Sequence, residues 1–169
     1  MLEAIKKRRS IRKFKKRAVE QEKIDEILRA AMFSPSGMHL RPWQFIVVRD
    51  REQKNRLSKA TLWSGFAKNA PVVLVIGAIS MPLWVEDCAI AAEAIYLEAT
   101  NQGLGTCFVQ INGSKKLLKD SEEYVKSVIK APKWLRVLCL MPMGYPAERK
   151  GEHSEEEFDR KRVRFDRWE

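Results

Sequence analysis

Two uninterrupted apolar runs and two further strand-like segments, set between stretches of helical periodicity, restrict what this chain can fold into more than any other feature. Residues 45–48 (Phe-Ile-Val-Val) and 72–76 (Val-Val-Leu-Val-Ile) are continuous and too short for a buried helix. Runs of this kind form strands covered on both faces, because a strand with one wet face would alternate with polar residues. Residues 106–111 and 136–141 read as a third and a fourth strand.

The segments between them repeat with a helical period. Residues 2–7 predict a short first helix. Residues 20–32 predict a second, with Ile24, Ile27, Leu28 and Ala31 on one face and Lys23, Glu26 and Arg29 in water. Pro35 and Gly37 end it and open a loop. Residues 51–66 read as a third, amphipathic helix. Residues 85–102 form the longest, whose Cys88, Ala89, Ala92, Ile95, Tyr96 and Ala99 make an alanine-rich face suited to close packing. Helical material is expected over 114–130, and Pro132 breaks it before the last strand. Strands alternating with helices argue for helices layered on a sheet.

A length of 169 residues allows one domain with a substantial core. With 45% hydrophobic and 32% charged residues the chain can bury enough surface to fold, which excludes a disordered polymer. The longest apolar region, residues 70–84, is interrupted by Pro71 and Pro82 and is too short for a bilayer span. Charges from Lys6 to Arg17 leave no signal-peptide core, so a cytoplasmic location is expected. Cys88, Cys107 and Cys139 are far apart and in apolar surroundings, which suits packed, reduced thiols. With only His39 and His153 beside them, no zinc cluster can be assembled.

The formal net charge of +10 comes mainly from the two ends, residues 6–17 and 160–167. A basic chain attracts phosphorylated ligands, nucleic acid or anionic lipid. Abundant Lys, Arg and Glu also suit the surface ion-pair networks of a heat-adapted protein. The densest cationic group is Arg8-Arg9-Ser10-Ile11-Arg12 at the end of the first helix. Guanidinium forks and a hydroxyl match phosphate oxygens, so these residues form a candidate anion clamp; the alternative is a solvated basic turn.

Further motifs separate the two. The loop Ser34-Pro35-Ser36-Gly37-Met38-His39-Leu40-Arg41-Pro42-Trp43 runs into the first apolar strand. Gly103-Leu104-Gly105-Thr106-Cys107-Phe108 follows the longest helix, and Met141-Pro142-Met143-Gly144-Tyr145-Pro146-Ala147-Glu148 ends the last strand. Together with the arginine cluster, and in this order, these segments resemble the nitroreductase family of flavin enzymes over nearly the whole chain.

The resemblance implies an α+β fold: a three-layer α/β/α sandwich with a central mixed, mainly antiparallel sheet, in a domain-exchanged homodimer. It implies one flavin-binding domain over 1–169, with 151–169 as a C-terminal arm wrapping the partner. Phe158, Phe165 and Trp168 lie among the arm's charges with no core of their own to enter; a partly disordered tail is the alternative. The implied cofactor is FMN and the implied donor NAD(P)H. By resemblance Arg8, Arg9, Ser10 and Arg12 meet the phosphate and nearby oxygens. The loop Pro35, Ser36, Gly37, Met38 and His39 comes from the other subunit along the flavin ring. Phe108, Val109 and Gln110 pass their backbone beside the ring, and Arg149 and Lys150 complete the phosphate pocket.

His39 and Arg41 depart from the family pattern, which has Asn and Gln there. His39 either donates to the flavin or packs within the loop; Arg41 pairs with a substrate carboxylate or with a surface Glu. Gly103-Leu104-Gly105 lacks a third glycine and precedes a strand, which rejects a dinucleotide fingerprint and leaves helix termination as its role. No side chain is expected to act as acid, base or nucleophile. The implied activity is hydride transfer from NAD(P)H through flavin to a small planar acceptor such as a nitroaromatic or quinone. Two alternatives remain: a flavin protein of the same fold with a specialised reaction, and a nucleic-acid-binding module using the basic ends, although glutamates split those runs and no recognised motif frames them.

Overall fold

The computed structural model describes residues 1–117 and 119–168. Its order is α1 (Glu3–Lys7), α2 (Gln21–Met32), β1 (Trp43–Val48), α3 (Arg51–Leu57), β2 (Val72–Ile79), α4 (Trp84–Asn101), β3 (Gly105–Thr106), β4 (Val109–Gln110), β5 (Lys115–Lys116), β6 (Lys119–Asp120), α5 (Ser121–Ile129) and β7 (Leu135–Gly144). The main sheet runs β1-β2-β7, and both β3 and β4 pair with the far side of β7. Every strand pair described is antiparallel; a single bridge, Ser10 with Thr106, is parallel.

Two helical layers cover the sheet, and strand alternation divides the core between them. Val72, Leu74, Ile76 and Ala78 of β2 meet Ile24, Ile27 and Ala31 of α2 and the Cys88, Ala92, Ile95 and Ala99 face of α4. Val73 and Val75 point the other way, to Leu57 of α3 and Val125 and Val128 of α5. The expected α/β/α sandwich is therefore what these residues build.

The β2–β7 register slips at one place. Ile76 faces Cys139 and Gly77 faces Val137, so Leu138 is the extra residue of a bulge. Before it Leu135 and Val137 face the α3/α5 layer; after it Cys139, Met141 and Met143 face α2 and α4. The displaced Leu138 carbonyl accepts from the amides of Ile111 (2.9 Å) and Asn112 (3.1 Å), which ties in the chain beyond β4.

Four readings of the sequence need correction. β1 is an edge strand with Gln44 exposed and Val47 half-exposed, and is not covered on both faces as its composition suggests. The helix expected over 51–66 ends at Leu57, because buried Ser64 turns the chain: its hydroxyl reaches the carbonyls of Ser58 (3.0 Å) and Thr61 (3.1 Å) and accepts from the Thr61 amide (2.9 Å). The helix expected over 114–130 begins only at Ser121, where Asp120 accepts from the Glu123 amide at 3.0 Å; Lys115 and Lys116 pair with Asp120 and Lys119 instead. Leu118, within that expected helix, and Glu169, the last residue of the expected arm, lie outside the described residues.

The fourth correction concerns residues 106–111. β3 and β4 keep one common register against β7, Thr106 facing Met143 and Val109 facing Leu140, but they are interrupted at Cys107 and Phe108. In that register Pro142 lies opposite Cys107, and its carbonyl points to this side, where it accepts from the Thr106 hydroxyl at 2.9 Å. Proline has no amide hydrogen to give the ladder, so the pairing breaks there.

Gly77 is where the bulge is enforced: a β-carbon there would lie 2.1 Å from the Arg136 carbonyl oxygen. Gly77→Ala should lower the unfolding free energy by about 1–3 kcal/mol in a urea titration; an unchanged midpoint would show that the two strands can part without loss.

Candidate functional site

The Arg8–Arg12 segment is held as an extended strip between β3 and the chain that leaves β7. The Ile11 amide donates to the Thr106 carbonyl at 2.9 Å, Lys15 to Tyr145 at 2.8 Å, and Ala147 returns a bond to the Lys13 carbonyl at 2.9 Å. Gly103, at φ +73°, ends α4, and Gly105 lets the strip approach, since a β-carbon there would lie 2.6 Å from Ile11. Helix termination and close approach are thus the work of this glycine pair.

The strip separates the cationic residues onto two sides. Arg8 lies over the Tyr96 ring, 5.2 Å from its centre, and Ser10 Oγ is 3.1 Å from the Tyr96 hydroxyl. That hydroxyl accepts the Phe108 amide at 2.8 Å, on the edge of the strand that faces away from β7. Burial raises the Tyr96 phenol above its ordinary value, so it remains protonated at neutral pH and can donate to Ser10. Arg12 continues along the same side into a cleft of about 300 Å³ that it lines with Trp63, Phe66, Phe108, Val109 and Gln110. Arg8, Ser10, Arg12 and residues 108–110 are therefore neighbours.

Arg9, Arg149 and Lys150 gather on the other side, lining a cleft of about 270 Å³ beside Gly103 and Gly105. Arg9 donates to the Gly151 carbonyl at 2.6 Å and Lys150 to the Ser10 carbonyl, so both hold the strip to the chain after β7. Glu148 does the same with its carboxylate, accepting the amides of Arg12 (2.6 Å) and Lys13 (3.1 Å).

Pro35, Ser36, Gly37, Met38 and His39 lie elsewhere. The Gly37 amide donates to Asp87 in the first turn of α4 at 2.8 Å, and Ser36 Oγ accepts the Arg41 amide at 2.9 Å. Tyr96 is nine residues further along the same helix, roughly 13 Å in axial rise. The chain thus carries two parts of the expected site at separate stretches of one helix.

Sequence reasoning missed Tyr96, Trp63, Phe66 and His153. Tyr96 was legible as the one polar group on the alanine-rich face, although that face alone placed it simply in the core. His153 Nε2 lies 3.1 Å from Arg8 Nη2, a contact across 145 positions that no local signal announces. Among the described residues no cluster of His, Cys, Asp or Glu could hold a metal ion. The three cysteines are free and buried, and burial pushes the Cys88 thiol up to about 12, which fits inert packing. No described helix is long and apolar enough to cross a membrane.

The donor set beside Tyr96 suits a phosphate monoester attached to a flat, partly apolar body: two guanidiniums and a hydroxyl in a row, then a cleft walled by Phe66, Trp63 and Phe108. Glu148 makes part of this arrangement acid-sensitive. Its bonds to the Arg12 and Lys13 amides lower its pKa in the folded state, so it contributes stability above the ordinary carboxylate range and loses it as pH falls through the lowered value. Glu148→Gln should therefore lose less stability than the wild type between about pH 5 and about pH 3 in urea titrations; equal losses would show that the carboxylate is not the linked group.

The chain and its fold are similar to known proteins. Residues 5–65 and 58–145 match the nitroreductase family. The chain is 38% identical over 173 residues to a Methanothermobacter thermautotrophicus protein named as an NADH dehydrogenase/NAD(P)H nitroreductase, covering 99% of this chain and 87% of that one. A similarly named protein of Archaeoglobus fulgidus is 32% identical over 174 residues, covering 99% and 98%. The solved structure of an FMN-dependent nitroreductase from Clostridium difficile superposes with a TM-score of 0.96 at 39% identity, covering 99% of this chain and 100% of that one. The chain belongs to the nitroreductase family of oxidoreductases.

Proposed function

We propose that the protein is an FMN-dependent oxidoreductase that takes a hydride from NAD(P)H and passes it to a small planar acceptor such as a nitroaromatic or quinone. The observation that carries this reading is the row Arg8–Ser10–Arg12 along Tyr96, leading from cationic donors into the aromatic cleft at residues 108–110. Arg8 and Ser10 would hold the phosphate, and Arg12 would face the polar edge of the ring. The backbone of Phe108, Val109 and Gln110 would flank the ring, with Phe66 and Trp63 closing the apolar side. Arg9, Arg149 and Lys150 would support the strip from behind and add positive charge. FMN, when bound, supplies the two-electron chemistry between donor and acceptor. The protein's work is to bind, orient and exclude water, and no side chain is assigned as acid, base or nucleophile.

The reading requires a homodimer. Residues 35–39 lie too far along α4 to serve the same protomer's cleft, so they would complete the partner's site. The arm after residue 151 would reach across to the partner. Phe165 and Trp168 are well exposed in the protomer, with Arg160 and Arg164 beside their rings, and a second subunit would cover them. The buried free thiols fit a reducing, cytoplasmic setting.

The purified protein should be yellow, and reduced nicotinamide should bleach it in the absence of oxygen; no affinity for added FMN would sink the proposal. Arg8→Ala and Arg12→Ala should each weaken FMN binding by about 1.5–3 kcal/mol, read by quenching of flavin fluorescence. Removing residues 158–169 should turn the dimer into a monomer in sedimentation experiments; a truncated chain that stays dimeric would reject the arm's role.

A further inference from the structure

We propose that His153 is a positioning residue for Arg8: the proton on its Nε2 decides whether the Arg8 guanidinium is held by the C-terminal arm or released to a phosphate. The inference rests on the assignment of Arg8 to the FMN phosphate above.

His153 is fixed on three sides. Its backbone amide donates to the Lys6 carbonyl at 2.9 Å, at the end of α1. Its Nδ1 is 2.7 Å from Glu157 Oε2. Glu157 is itself held by a reciprocal cap with Ser154, whose amide donates to Glu157 Oε1 at 3.3 Å. The bond to His153 holds the Glu157 carboxyl below its ordinary range, so Glu157 is an anion and Nδ1 keeps its proton.

Nε2 then has two competing partners on one residue. It is 3.1 Å from Arg8 Nη2 and 2.9 Å from the Arg8 carbonyl oxygen. Arginine can only donate and a carbonyl can only accept, so one ring nitrogen cannot serve both at once. A neutral imidazole presents a lone pair and accepts from the guanidinium. A protonated imidazole donates to the carbonyl, repels the guanidinium and adds a positive charge beside it. Both consequences favour an anion at Arg8, and imidazole is the side chain whose charge ordinarily changes between pH 5 and 8.

The surrounding charges bear on the same equilibrium. Lys6 on α1 lies 3.8 Å from Glu152 of the arm. Glu155 and Glu157 of the arm and Glu93 of α4 line the groove that Arg8 and His153 share, and Arg9 acts on Glu157 from the far side of the strip. Tyr96 lies beneath Arg8. Burial raises the Glu93 carboxyl while Arg8 opposes the rise, which makes Glu93 the other group able to give Arg8 a pH-dependent partner.

The experiment compares FMN binding by the full-length wild type, His153→Gln and Glu93→Gln from about pH 8.5 to about pH 6 at constant ionic strength, by flavin fluorescence quenching. Glutamine keeps a donor and an acceptor at residue 153 but cannot change charge. The phosphate's own titration cancels in the ratio of affinities. Wild-type affinity should rise about threefold to tenfold relative to His153→Gln as pH falls, and Glu93→Gln should keep that rise. Riboflavin, which has no phosphate, should give a flat ratio. A flat ratio with FMN, a rise lost in Glu93→Gln, or an equal rise with riboflavin would each overturn the inference while leaving FMN binding intact. A wild type that binds FMN at no pH would remove the functional reading and this inference with it.

Discussion

The site is organised around one phenol, that of Tyr96, beside the place where Pro142 interrupts the sheet. Where β7 should donate to the strand of residues 105–110 there is no amide, so the ladder breaks at Cys107 and Phe108. On the opposite edge of the same strand the Phe108 N–H, which points away from β7, donates to the Tyr96 hydroxyl at 2.8 Å. The same hydroxyl meets Ser10, and the ring beneath it carries Arg8. Tyr96 is thus a junction of three elements: the long helix, the broken strand and the basic strip. The cleft runs from the unpaired Cys107 and Phe108 along β4, whose Val109 and Gln110 are paired with β7.

Much of this was legible in the sequence, and what was missed has physical reasons. Layering followed from the apolar runs, because their side chains can be buried only between two covers. The longest helix was placed within one residue at each end, since its alanine face has no competing reading. Residues 51–66 misled because amphipathic spacing persists past Leu57, while the turn is made by one serine hydroxyl whose partners are set by tertiary packing. Residues 114–120 misled because a lysine-rich hairpin has no apolar alternation, although Asp120 already marked the true start of the last helix. The arginine cluster was legible as a group, but its division between two sides of an extended strip needed the neighbours that hold it.

The basic composition also takes on a more specific meaning. Lys150, Arg9 and the backbone bonded by Glu148 are spent on holding the strip, so a large part of the local charge is structural cement around the row that faces the cleft. Exposed pairs such as Lys7 with Glu3 and Arg162 with Asp159 add little stability in water. The field at the amino end comes instead from residues 6–17, which carry Lys and Arg and no acidic residue, and it draws anions toward the strip.

The loop between α2 and β1, tied to the first turn of α4 through Asp87, is wound against ordinary backbone preference. Met38, His39 and Arg41 all have positive φ, at 49°, 58° and 50°, although none is a glycine. Each such residue costs on the order of 1 kcal/mol relative to ordinary backbone. The Ser36 hydroxyl and the Asp87 carboxylate return part of that. A loop wound in this way works like a loaded spring catch: in the proposed homodimer, where a partner would press on it, subunit pairing and the form of residues 36–41 would be thermodynamically one event.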